Sequence, residues 1–144
     1  MFRVALALLL SMPVVACSSS PTAPTPAPSL AGVWSGLLTR GGTPNTLRLD
    51  LQSTSFGPAA GASGRYEWLD AAGTAGGTVT GGLAGTQATL TLTPSAPPPC
   101  PGASTPSAGQ IALRLTLDGT RLTGEAVFTL CGAFDVGTVS LTRQ

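Results

Sequence analysis

A chain of 144 residues with a formal net charge of +1, only 9% charged residues and neither Lys nor His closes off much chemistry before any motif is read. Without His there is no Ser-His-Asp or Cys-His catalysis and no imidazole metal ligand; without Lys there is no Schiff base and no P-loop lysine. The near-neutral balance offers no electrostatic footprint for nucleic acid, and the length suits one small domain.

Residues 1–16 read as a signal rather than as part of the fold. Arg3 supplies a minimal positive start, and Val4 to Leu10 is an uninterrupted apolar run. The run is shorter than the about 20 residues a membrane-spanning helix needs, which fits the apolar region of a secretory signal. Val14-Val15-Ala16-Cys17 closes it and resembles the lipobox of bacterial lipoproteins. That resemblance implies cleavage before Cys17 and lipidation of its thiol. Several acyl chains hold a protein firmly to a bilayer where one does not. Ser18 follows, where an Asp is the usual signal for inner-membrane retention. The resemblance therefore favours the periplasmic side of an outer membrane, if the cell has one. The competing reading is a plain secretory signal with an incidental Cys.

Residues 17–30 combine the lipidated Cys with a Pro-, Ser- and Thr-rich tether. In polyproline II such a spacer reaches up to about 40 Å. From residue 31 to 144 the pattern changes to short bursts of strict alternation with abundant Thr, the mark of half-buried strands. Leu47, Leu49 and Leu51 alternate with polar residues, as do Leu90 and Leu92, Ile111 to Leu117, and Leu122 to Leu130. Eight strands are predicted: 32–39, 46–54, 63–70, 76–83, 86–93, 109–118, 120–130 and 134–143. Loops are expected at 41–45, 57–64, 71–77 and 94–109, with tight hairpins at Gly85-Thr86 and Asp118-Gly119. Every Pro of the domain is expected in a loop. The expected fold is all-β, an eight-stranded antiparallel up-and-down barrel, which removes exposed sheet edges. A two-sheet β-sandwich is the alternative.

Gly32-Val33-Trp34 opens the domain and Arg143 nearly ends it. This pairing of a Gly-x-Trp on the first strand with a basic residue on the last resembles the calycin barrels, lipocalins and avidins among them. The resemblance implies that Trp34 and Arg143 form a structural plug at the closed end, where a cation over an indole gains about 0.5–2 kcal/mol. It implies a fold and no particular ligand.

Two cysteines remain, Cys100 and Cys131, and an exported chain with two thiols is expected to form a disulfide. Such a loop closure is worth about 3–4 kcal/mol. No metal site and no cofactor is expected. Tyr66 and Trp68 share one strand face; if it is interior they either line a cup for an apolar ligand or fill the core. Of the carboxylates, Glu67 and Asp70 fall on opposite faces, Asp118 in a turn, and Asp50 and Glu125 toward solvent, so a carboxylate hydrolase ranks last. The functional expectation is a non-enzymatic, membrane-anchored envelope lipoprotein that binds a small apolar ligand or an envelope protein. The alternative is a structural lipoprotein with a filled barrel and no small-molecule ligand.

Overall fold

The computed structural model describes residues 27–55, 60–70, 73–96 and 109–144. These form eight strands: β1 (Gly32–Arg40), β2 (Thr43–Ser55), β3 (Ala60–Asp70), β4 (Gly73–Ala84), β5 (Gln87–Pro94), β6 (Gln110–Asp118), β7 (Arg121–Leu130) and β8 (Ala133–Arg143). Each pairs antiparallel with its sequence neighbour, and β8 returns to β1, closing an up-and-down barrel. The topology is the one the calycin resemblance implies, and closure excludes the sandwich. All eight predicted strands are present, and five of them run longer than the alternation alone suggested.

The alternation works as burial. Along β6, Ile111, Leu113, Leu115 and Leu117 are buried while the residues between them are exposed. One core cluster runs from Leu30 and Trp34 through the leucines of β2, β5 and β6 to Phe128, with Trp68 packed against it. Each fully buried Leu contributes about 1.5–3 kcal/mol relative to exposure. Among the described residues the fully buried side chains are aliphatic or aromatic.

Inward glycines set the barrel's bore. A Cβ on Gly36 would collide with the backbone carbonyl oxygen of Ser140 and stand 2.9 Å from the Cα of Leu141. Only a missing side chain lets β1 and β8 approach this closely there. A Cβ on Gly77 would stand 2.8 Å from Cε1 of Tyr66, so the glycine makes room for the ring.

The proline expectation is corrected in two places. Pro44 lies within β2, opposite Thr39, and Pro94 ends β5, opposite Gly77. Pro44 follows the hairpin-closing pair Arg40–Thr43, so its nitrogen points away from β1. On that side β3 has already ended, because its pairing with β2 stops at Thr46–Leu69. Pro94 likewise lies past the last β5–β6 pair, Leu92–Ile111. Each sits where no ladder bond is forfeited. Most of the expected loops at 41–45, 57–64 and 71–77 are also strand, with the first turn reduced to Gly41-Gly42, both at positive φ.

Candidate functional site

The barrel has two unlike ends. β1 begins and β8 ends at one of them; β1, β3, β5 and β7 end at the other.

At the first end Trp34 is fully buried and its Nε1 donates to the Leu30 carbonyl oxygen at 2.8 Å. The Arg143 guanidinium lies over the indole, 4.8 Å from the ring centroid. Its Nη2 donates to the carbonyl oxygens of Ser29 and Ala31, each at 2.6 Å. Gly32, at φ +127°, leaves the space: a Cβ there would stand 3.4 Å from Arg143 Nε. Ser29 Oγ also lies 2.9 Å from Ser53 Oγ. Leu30, assigned by sequence to the tether, is 2% exposed and part of the core. The domain therefore begins earlier than residue 31: the end of the tether is strapped across the barrel's closed end.

At the other end β1, β3, β7 and β8 bring together Arg40, Trp68, Phe128 and Asp135. Arg40 lies over the Phe128 ring at 4.8 Å, and Trp68 packs against the same ring at 5.6 Å, tilted by 52°. Arg40 Nε donates to Asp135 Oδ2 at 2.6 Å, and the Val136 N–H donates to Asp135 Oδ1 at 2.8 Å. These two bonds, the one from Arg40 first, hold the Asp135 carboxyl below the usual carboxylate range. The Trp68 Nε1 hydrogen is buried without an acceptor. Each end is thus finished by an arginine over an aromatic ring, one of the pair coming from β1.

Tyr66 is 3% exposed and belongs to the core, and burial pushes its phenol above the ordinary tyrosine value. Trp68, two residues along on the same inward face, packs on Phe128 as described. Sequence reading brought Tyr66 and Trp68 together but did not find Arg40, Phe128 and Asp135. Nothing local marks them, because they meet through the β1–β8 and β7–β8 registers.

Cys131 occupies the turn after β7, one residue beyond the expected strand end, at φ 54°, with Gly132 at φ 76°. Cys17 and Cys100 lie outside the described residues, as do the signal segment and most of the tether. The four carboxylates Asp50, Glu67, Asp118 and Glu125 are exposed. No group of three or more His, Cys, Asp or Glu able to hold a metal occurs among the described residues. A groove of about 700 Å³ lies along β3 and β4 beside the end of β5, lined by Arg65, Tyr66, Glu67, Thr74, Gly77 and Ser95 among others, so that it includes one of the two aromatics expected to line a cup.

Set against known proteins, the chain matches no family model, no curated protein and no solved structure.

Proposed function

We propose that this is a lipid-anchored lipoprotein of the cell envelope whose barrel is a filled, non-catalytic module acting through its outer surface. The observation that carries the choice between a ligand cup and a filled barrel is the continuous apolar core, which includes Tyr66 at 3% exposure. A ligand cup needs an open volume of several hundred Å³ among such side chains. Cys17 is the anchor in this reading, and residues 17 to 28 are the spacer.

The barrel itself stays out of the bilayer. Its outward positions carry Arg48, Arg65 and Arg114 within β2, β3 and β6, all exposed. An Arg facing lipid at mid-membrane costs about 2–4 kcal/mol. In this reading Cys100 pairs with Cys131, the two cysteines left once Cys17 carries the lipid. Such a bridge would join the Pro-rich segment after β5 to the β7–β8 turn.

Intact-mass spectrometry of the protein purified from its own membranes tests the whole reading. The expected mass starts at an acylated Cys17, rises by no alkylation before reduction, and carries no stoichiometric small molecule under native conditions. A chain retaining residues 1–16, or cleaved elsewhere without acyl groups, overturns the anchor. A retained apolar ligand reinstates the cup.

A further inference from the structure

The outer wall of the barrel carries charge in two groups of four. On β2 and β3, Arg48 stands opposite Glu67 and Asp50 opposite Arg65. On β6 and β7, Arg114 stands opposite Glu125 and Asp118 opposite Arg121. All eight side chains are exposed. Among the described residues none of the four on β2 and β3 is ion-paired or hydrogen-bonded through its side chain, whereas Arg40 and Asp135 are paired.

The surroundings of the two groups differ. On β6 and β7 the opposed pairs are separated by Thr116 and Thr123, and side chains stand on both flanks: Thr89 beside Arg114 and Thr138 beside Glu125. On β2 and β3 the pairs follow one another directly, and Glu67 faces Gly76 on β4, which has no side chain. The surface is hollowed there. A depression of about 240 Å³ is lined by Arg48, Asp50, Arg65, Tyr66 and Glu67. It meets the groove of about 700 Å³ at Arg65, Tyr66 and Glu67, which line both.

We propose that Arg65 and Glu67 bind the α-amino-acid group of a small polar molecule, an ammonium and a carboxylate carried on one carbon. Charge complementarity selects this ligand. The two residues stand on one face of β3, two positions and about 7 Å apart. The Arg65 guanidinium matches a carboxylate with parallel hydrogen bonds, and the Glu67 carboxylate accepts from an ammonium. With Arg48 and Asp50 the depression sums to zero charge. A polyanion or a polycation meets as much repulsion as attraction there, whereas a molecule holding both charges side by side finds a partner for each. Inside a peptide chain these two groups are consumed as amides, so the ligand is a free amino acid. Its remainder extends over Gly76 toward Thr74, Thr78 and Ser95, whose hydroxyls both donate and accept.

This inference deepens the reading of the barrel as a filled module that acts through its outer surface, and rests on it. Contacts to exposed charges are weak and screened by salt. The ligand therefore exchanges freely and is not carried through purification, in keeping with the native mass expected above.

The test is a titration of the isotope-labelled full-length protein, in detergent micelles, with free glutamine, read by backbone amide chemical shifts. Saturable shifts are expected at Arg65 to Glu67 and at Gly76 to Thr78, and none at Arg114 or Glu125. N-acetylglutamine lacks the ammonium and glutaminamide lacks the α-carboxylate. Each is expected to bind about tenfold more weakly, as loss of one charge-assisted hydrogen bond implies. Arg65→Gln and Glu67→Gln, both at exposed positions, are expected to weaken glutamine binding to the same degree, and Arg114→Gln to leave it unchanged. Raising the salt from about 0.01 M to 0.15 M shortens the Debye length from about 30 Å to 8 Å and is expected to lower the affinity. Absence of saturable shifts overturns the proposal and leaves the filled barrel standing. Equal affinity for either blocked analogue, or equal shifts at the two groups of charges, also overturns it. Saturable shifts at the buried Leu49 and Leu92 instead place the ligand inside, which overturns both the proposal and the filled barrel.

Discussion

At the scale of single residues, the two arginine–aromatic pairs show what sequence reading reaches and what it misses. Trp34 and Arg143 are legible because they stand at the two boundaries of the domain, where a Gly-x-Trp and a terminal cation are conspicuous. Arg40 and Phe128 make the same contact at the other end but stand inside ordinary alternating runs. Only the register, which aligns Arg40 with Gly137 and Phe128 with Asp135, brings them together. Asp135 gives this cluster a pH dependence of predictable sign. Its carboxyl titrates below the usual range in the folded chain, so folding favours its ionised form. The contribution is complete above the ordinary carboxylate range and is lost as pH falls through the lowered value. Thermal melts between pH 6 and pH 2 are expected to show a smaller acid-induced fall in Tm for Asp135→Asn than for the parent. An equal fall would mean that the Arg40 contact does not discriminate the two protonation states.

At the scale of elements, the strands were legible because period two is unambiguous where Leu and Thr alternate, as in β5 and β6. Their ends were not. Gly and Pro at Pro44, Gly61 and Gly76 read locally as breaks, yet each lies in a strand. The barrel uses glycine inside strands for close approach and tolerates proline where a neighbouring strand has ended. That distinction depends on which strand lies alongside, which no local window contains. It also predicts how the seam responds to added bulk. Gly36→Val forces a side chain into the Ser140 carbonyl of β8, and overpacking of this kind costs about 1–3 kcal/mol. Ser35→Val, one residue away and outward, is expected to change stability by less than about 0.5 kcal/mol. Urea denaturation of the two variants measures the difference. Equal stability would show that β1 and β8 yield easily at this point.

At the scale of the molecule, the closed ring has a kinetic consequence. Seven of its eight ladders join strands adjacent in sequence and can form as local hairpins, six of them across a few residues and β5–β6 across residues 95–109. The eighth unites β1 with β8, and the Arg143–Ala31 hydrogen bond that secures it spans 112 positions. Closure entropy rises with loop length, and non-local pairing slows folding. The seam is therefore the topologically expensive step, and the molecule stays an open sheet with two raw edges until it is made. The ends of that seam lie side by side, the Gln144 N–H donating to the Val33 carbonyl oxygen at 2.9 Å. Joining Gln144 to residue 27 through a short linker and opening the chain at Gly85-Thr86 makes the seam a local hairpin. Stopped-flow refolding of this permutant is expected to be faster than that of the parent domain, with the slow, long-range closure transferred to β4 and β5.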